Sequence, residues 1–576
     1  MTTSTVSASV SAGRGQLVNV RHRSLQVAKV RVVWVLAGFA ALAVIAMIKL
    51  VWTGFGQDGP DNRSLADALK PPRAEIVDRN GVPLARALPS YALWFNATTS
   101  DGSSPLIKTP KEVAQALVAI FPDENYNRIL TMLSTGKSGY LRRRIMPDDA
   151  NRVLAIGEPA LQFPRETERY YPQGAMGAFV LGYVDSGGHG QVGMEQVLNN
   201  RLADPATRGA PAMLSIDARV QGALEEEIQR AIGASNANGG GGIVMDVETG
   251  EVLALASLPS FDPNQPMIFN GNGQKLMRNI MTSEVYELGS VFKPITVAAG
   301  IDAGLITDLG RRYPAGSQRE VAGHLVHDHD DYGASLNIPE ALIHSSNIVL
   351  AQVGDEIGGD RLNATLRGLG FAERPYIELP ARGMPWFPRS WARVTTTTVA
   401  YGHGISITPM HLACAYAALV NGGIWRPATL MKLQPGQAPQ GRRVFKASTS
   451  ARVRQLLRLI VDLGTGRSAN AAGFRVGGKT GTAEIGDQSG YHKDKVVTTF
   501  ASAFPMDRPR YVVLVTMVEP KATVATHGQR TAAWNAAPVV GRVVPRIGPL
   551  LGVMPDAARD IDITDLAPLV ANGEGE

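Results

Sequence analysis

Ser290-Val291-Phe292-Lys293 sets a hydroxyl and an ammonium three residues apart, ahead of an apolar helical stretch from Pro294 to Ala303. Three residues is about one helical turn, so the two side chains share a face, with Ser290 near a helix N-terminus and its unpaired N–H groups. Proline directly after Lys293 is tolerated, because the first turn's N–H groups lack helical partners anyway. A serine hydroxyl is a weak nucleophile until a base takes its proton, and a lysine can serve only if burial or nearby positive charge lowers its pKa. Alone, the pair equally describes a helix N-cap followed by a surface lysine. Ser345-Ser346-Asn347 lies 55 residues on, inside the helical stretch Ala341 to Val353. It interrupts that stretch with polar residues that also favour caps and turns. Lys479-Thr480-Gly481-Thr482 follows 134 residues later at the start of a strand-like segment. There the glycine lets a substrate backbone approach, and the lysine and hydroxyls could hold a carboxylate.

Other residue sets invite different chemistry. Gly473 to Thr480 matches the phosphate-binding pattern G-x-x-x-x-G-K-[ST], which requires a strand before it and a helix directly after. Gly481 to Gln488 is instead rich in Gly and Thr and leads toward a loop. His324, His327, Asp328, His329, Asp330 and Asp331 carry metal-ligand chemistry, but no third ligand is fixed by their spacing. They read as a polar loop near the cleft, and no metal is expected. Gly239 to Gly242 lacks a following helix and reads as a flexible entry to a strand. Cys414, the single cysteine, sits in an apolar run and reads as a buried structural thiol; it excludes a disulfide framework or a multi-thiolate metal site.

The elements that must position the three short motifs can be placed by pattern. Gly241 to Asp246 and Glu251 to Ser257 read as two strands joined by a tight turn at Val247 to Gly250. Thr498 to Phe504 and Tyr511 to Val518 read as a second pair, separated by Pro505 to Pro509. The intervening chain is mostly helical, which predicts one antiparallel sheet built from both ends of a domain and covered by helices. Ala218 to Ser235 has helical spacing and leads into it. Before that, a mixed α/β domain is predicted, with a strand over Arg73 to Val77, a turn at Asp78-Arg79-Asn80-Gly81 and a helix near Pro110 to Phe121. Pro555 to Glu576 is acidic and is expected to be partly disordered.

The chain has 576 residues, 44% apolar and 19% charged. That is globular composition and too long for one small domain. Five of the net six positive charges, Arg14, Arg21, Arg23, Lys29 and Arg31, lie in the first 31 residues. The remainder is nearly neutral, so a nucleic-acid partner is not expected. Val32 to Ile48 is an unbroken run of 17 uncharged residues, extended past Lys49 by Leu50-Val51-Trp52. This predicts an uncleaved, single-pass anchor with the basic tail in the cytoplasm and the remainder exported across a bacterial inner membrane. Nucleotides are scarce there, which argues further against the phosphate-loop reading. The predicted layout is a tail at 1–31, a transmembrane helix at 32–52, a linker at 53–70, a first domain at 71–217, a second at 218–555 and a tail at 556–576.

The three motifs in this order resemble the set of penicillin-binding proteins and class A β-lactamases. Arg73 to Gly81, Tyr171-Pro172, Gly182-Tyr183-Val184 and Gly193-Met194-Glu195 are similar to motifs of the non-catalytic domain of class B penicillin-binding proteins. The chain resembles that class from the anchor to Asp556. Leu288 stands where proline is common in the family, and His411 where glutamine is usual. The β-lactamase alternative lacks its Glu-x-x-x-Asn loop between Asn347 and Lys479. A membrane-anchored penicillin sensor would carry a signalling domain where this chain has a 31-residue tail.

The resemblance implies an α+β fold: a penicillin-binding, β-lactamase-like serine acyltransferase domain after a pedestal (dimerisation) domain and one transmembrane helix. It implies a D-Ala-D-Ala transpeptidase/carboxypeptidase that needs no cofactor and that β-lactams inhibit covalently. Ser290 would be the nucleophile, Lys293 the general base, Ser345 a proton relay, and Asn347 a partner of Lys293 and the substrate amide. Lys479, Thr480, Gly481 and Thr482 would bind the donor's terminal carboxylate, with the N–H groups of Ser290 and Thr482 as oxyanion hole. The compact first domain and the ending at 536–556 are similar to the division-specific, FtsI-like (penicillin-binding protein 3 type) branch. An FtsW-like membrane polymerase and other division proteins are then expected partners; an elongation-specific role is the alternative.

Overall fold

A computed structural model describes residues 73–98, 105–185, 187–265, 278–487 and 490–570, together with most of 29–47. Among the described residues no helix is long and apolar enough to cross a membrane. Residues 33–44 are helical and exposed; the rest of the expected span, the tail before it and the linker at 53–70 lie wholly or largely outside the described residues.

The chain forms two compact units. In the smaller, residues 89–167, strand segment Tyr91–Phe95 pairs antiparallel with Gly139–Ile145. Helix Pro110–Ile120 packs its buried Val113, Ala114 and Leu117 into that unit's own core. It starts where predicted, because Thr109 and Glu112 form a reciprocal capping box ahead of Pro110.

The larger unit takes residues 71–88 together with everything from Glu168 onward. Its centre is a five-stranded antiparallel sheet of β1 (Gly239–Asp246), β2 (Val252–Leu258), β3 (Gly477–Asp487), β4 (Gly490–Phe504) and β5 (Tyr511–Val518), in the order β3-β4-β5-β1-β2. The N- and C-terminal ends of the domain thus pair through β5 and β1, Tyr511 opposite Asp246 and Val518 opposite Gly239. Both strands are apolar and buried on both faces because helices cover both, and they read as continuous rather than alternating runs. Gly239 to Gly242, expected as a flexible entry, is instead strand β1 itself and fully buried. A Cβ at Gly242 would lie 3.0 Å from Ile228 and Leu224 of the helix α1 (Ala218–Ser235), so the missing side chains let that helix pack against the sheet.

One face of the sheet packs against α1 and α7 (Ala536–Ile547) around Val244, Val513, Val515, Val540 and Val544. The other packs against α5 (Pro409–Val420) and α6 (Ala447–Leu463), which in turn pack on α2 (Lys293–Asp302). Helix α5 is buried all round, Cys414 included, and burial pushes that thiol up to about 12. His411 occupies the third position of α5's capping box. Its Nδ1 accepts from the Thr408 N–H at 3.2 Å, and its Nε2 lies 2.8 Å from the Glu373 carbonyl and donates to it. Residues 555–570 are pinned across α6, with Asp560 bound to Arg458 and Leu566 buried, so the acidic ending is less free than its composition suggested.

Candidate active site

Ser290 is placed by a tight backbone approach. Gly289–Phe292 form a single 3-10 turn that runs directly into α2, so Ser290 sits one turn ahead of Lys293 with Pro294 in the helix's first turn. Gly289 has φ +61° and donates its N–H to the Gly402 carbonyl at 3.2 Å. A Cβ at Gly402 would fall 2.0 Å from the Gly289 carbonyl oxygen, which only glycine permits. From the other side, a Cβ at Gly481 would meet the Leu288 carbonyl at 2.4 Å. Strand β3 is thereby pressed against the turn that carries Ser290, and Leu288 is buried between them.

The polar interruption read at 344–346 is a true break between helix α3 (Ile338–Ile343) and helix α4 (Asn347–Ile357). Ser345 lies in it with φ +63°, a conformation that costs a non-glycine residue about 1–2 kcal/mol and collects at working sites. Its hydroxyl is the centre of the cluster: Lys293 Nζ lies 3.1 Å from Ser345 Oγ and Lys479 Nζ 2.9 Å from the same oxygen. Lys293 also donates to the Ser345 carbonyl, and Lys479 to the carbonyl and hydroxyl of Thr480 at 3.0 and 3.3 Å. Both lysines are fully buried. Burial, and then the charge of Lys479, holds Lys293 well below its ordinary value, while Asp328 opposes the shift; burial alone brings Lys479 down to about 7. Two ammonium ions sharing one hydroxyl in a dry pocket repel each other, so the arrangement favours a neutral Lys293, which can accept a proton.

Thr480 Oγ1 is held 2.8 Å from Thr465 Oγ1, and Thr482 Oγ1 accepts from the Ala532 N–H at 3.2 Å. Asn347 departs from the expected partnership: its Nδ2 donates to the His327 carbonyl at 3.0 Å, and Lys293 bonds to Ser345 instead. Asn347 and Thr482 line a cleft of about 820 Å³ with His327, His329, His403 and Arg530.

Sequence reasoning missed Asp328. The hairpin Gln318–Val321/His324–His327 delivers its carboxylate to the start of α4, where it accepts from Ser346 Oγ and the Asn347 N–H at 2.5 Å each and from the Ile348 N–H at 3.1 Å. It clamps the segment that carries Ser345. The signal was the His/Asp run, weighed for metal and read as a polar loop near the cleft without a role for Asp328; among the described residues no cluster of His, Cys, Asp or Glu has the geometry of a metal site. The phosphate-loop reading falls as well, because Gly477–Asp487 is one continuous strand and no helix follows Lys479.

Residues 240–541 match the penicillin binding protein transpeptidase domain, and residues 68–206 the penicillin-binding protein dimerisation domain. The chain is 35% identical to the probable peptidoglycan D,D-transpeptidase FtsI of Caulobacter vibrioides, over 91% of this chain and 89% of that protein. It is 27% identical to the peptidoglycan D,D-transpeptidase FtsI of Escherichia coli, over 94% and 93%. Penicillin-binding protein 3 of Mycobacterium tuberculosis, solved with aztreonam, shares the fold at a TM-score of 0.65 and 24% identity, covering 85% of this chain and 99% of that one. With its three short motifs drawn into one buried cluster beneath this sheet, the chain belongs to the penicillin-binding protein transpeptidases.

Proposed function

We propose that the protein is a peptidoglycan D,D-transpeptidase that cross-links stem peptides of the septal wall during cell division. The observation that carries the chemistry is the shared hydrogen bonding of Lys293 and Lys479 to the Ser345 hydroxyl. Neutral Lys293 takes the Ser290 proton as Oγ attacks the carbonyl between the two terminal D-alanines. Ser345 passes that proton to the departing amine, D-alanine leaves, and an acyl-enzyme remains. A neighbouring stem's amine then attacks the ester and restores Ser290. Lys479, Thr480, Gly481 and Thr482 hold the donor carboxylate at the edge of β3. The N–H groups of Ser290 and Thr482 receive the oxyanion, each such donor being worth about 3 kcal/mol. Asn347 meets the substrate amide from the cleft wall.

The division role rests on the FtsI relatives. The run at 32–52 and its basic flank support a single-pass inner-membrane protein with an exported catalytic unit, and an FtsW-like polymerase as membrane partner. The limits 71–217 and 218–555 are retained for the pedestal and transpeptidase domains. Intact-protein mass spectrometry after exposure to benzylpenicillin tests the chemistry. One covalent adduct, mapped to Ser290 and absent from Ser290→Ala, is expected; an adduct on another residue, or none on the folded wild type, would overturn it.

A further inference from the structure

The proposed reaction needs a second substrate, an amine, and nothing in the Ser290–Lys293–Ser345–Lys479 cluster is set to receive it. A primary aliphatic amine has an ordinary pKa near that of lysine, about 10.4, and reaches the enzyme as an ammonium ion that cannot attack an ester. A site for it must attract a cation and remove a proton.

His403 sits where such a site is needed. Gly402, the residue before it, is pressed against Gly289, the residue before the nucleophile. The imidazole lines the same cleft as Asn347 and Thr482. Its Nδ1 is 3.1 Å from a carboxylate oxygen of Glu287, whose other oxygen accepts the Gly404 N–H at 3.1 Å. A carboxylate can only accept, so Nδ1 carries the proton and the tautomer is fixed. This leaves Nε2 with a lone pair, and it makes no hydrogen bond among the described residues. Glu287 is largely shielded, at 14% side-chain exposure against 36% for His403, so its charge reaches the cleft through the ring. A carboxylate that orients an imidazole and leaves its far nitrogen unpaired, in a ring that lines the cleft with Asn347 and Thr482, is the arrangement of a general base. Among the described residues the other titratable or charged groups facing this position are Tyr401, whose ring centroid is 5.4 Å away, and across the cleft His327, His329, Glu484 and Arg530.

We infer that Glu287 and His403 form the subsite for the acceptor amine, with His403 as its general base. This deepens the transpeptidase reading and rests on it. The acceptor enters as an ammonium drawn by the Glu287 carboxylate, and one N–H proton passes to His403 Nε2. The freed lone pair attacks the acyl carbon of the Ser290 ester, and the N–C bond forms. The nitrogen's surplus proton travels through Ser345 and Lys293 to Ser290 Oγ as the C–Oγ bond breaks. His403 then gives its proton to solvent, so the step yields one amide, one free serine and one released proton.

The test follows aminolysis of a preformed acyl-enzyme, made from a thioester substrate, in the wild type and in His403→Phe and Glu287→Gln. Benzylpenicillin adduct formation is measured in the same samples. With a D-amino acid side-chain amine as acceptor, wild-type aminolysis should depend only weakly on pH at and above neutrality, because the enzyme itself supplies the base that deprotonates the ammonium. In His403→Phe it should fall at least tenfold at neutral pH. It should then climb with every unit of pH toward the amine's own pKa. Hydroxylamine, already unprotonated at neutral pH, should serve the variant and the wild type alike. Equal losses with both acceptors, or an unchanged pH profile, would overturn the subsite. Failure of the wild type to form the penicillin adduct would instead overturn the transpeptidase reading.

Discussion

Both buried lysines reach the one hydroxyl of Ser345, on which the proposed chemistry turns. In that proposal Lys479, which burial brings down to about 7, holds a carboxylate best when charged, below pH 7, and Lys293 accepts a proton only when neutral. The second-order rate of penicillin acylation should therefore be bell-shaped, with a basic limb near pH 7 that belongs to Lys479. Stopped-flow acylation across pH 5 to 9 checks this, and a rate still rising through pH 8 would remove Lys479 from carboxylate binding. Asp328 acts through the backbone it clamps. In Asp328→Ala three donors at the start of α4 lose their acceptor and the left-handed Ser345 loses its anchor. Acylation should fall about a hundredfold, as small displacements of reacting groups do, while the loss of a helix cap costs about 1 kcal/mol of stability. An unchanged acylation rate at the lower melting temperature would make Asp328 merely structural.

At the scale of elements, α5 shows how a departure from the family pattern is absorbed. His411 fills the capping-box position that Glu or Gln takes by the same geometry, reaching back to the Thr408 N–H. Burial holds its imidazole down to about 4 from 6.5, so the folded protein keeps it neutral. The folded state binds fewer protons than the unfolded chain below pH 6.5. The contribution of His411 is accordingly complete above that pH and is lost as pH falls toward 4. Between pH 6.5 and 4.5 this amounts to roughly 2 kcal/mol. His411→Gln keeps the cap and removes the titration, so the wild type's urea midpoint should fall relative to the variant's as the pH is lowered. Parallel curves would place the acid sensitivity elsewhere.

At the scale of the whole molecule, the segments 71–88 and 168–206 belong to the same compact unit as Ser290, Ser345 and Lys479, although the dimerisation-domain match runs through both. They are joined by a buried charge cluster. Glu195 accepts from Arg73 Nε at 2.8 Å and from Arg169 Nε at 2.6 Å, and Arg169 also donates to the Ala74 carbonyl. Breaking one member of such a cluster leaves buried charges uncompensated and costs about 3–5 kcal/mol. Glu195→Gln should lower the unfolding free energy measured by denaturant titration by that amount, while penicillin acylation of the protein that remains folded at low temperature is retained. A loss under 1 kcal/mol would mean that water, not Glu195, satisfies the two guanidinium groups.

The sequence alone singled out Ser290, Lys293, Ser345, Asn347 and Lys479 to Thr482 through the resemblance of three short motifs, in their order, to those of a known family, whereas spacing by itself left Ser290 and Lys293 open to a helix cap and a surface lysine. It determined the two hairpins, since apolar runs bounded by turn residues are local. The helix near Pro110 to Phe121 and the helix at Ala218–Ser235 were legible for the same reason. Only the tertiary structure decided that Lys293 and Lys479, 186 positions apart, share one hydroxyl, since depressed pKa values come from burial that no single segment controls. It decided that Asp328 clamps α4 rather than binding metal, that Asn347 turns to the His327 carbonyl, and that Glu287 orients His403. Those contacts form between loops whose partners lie 18 to 117 residues away, and loop composition records a residue's chemistry but not the direction it faces.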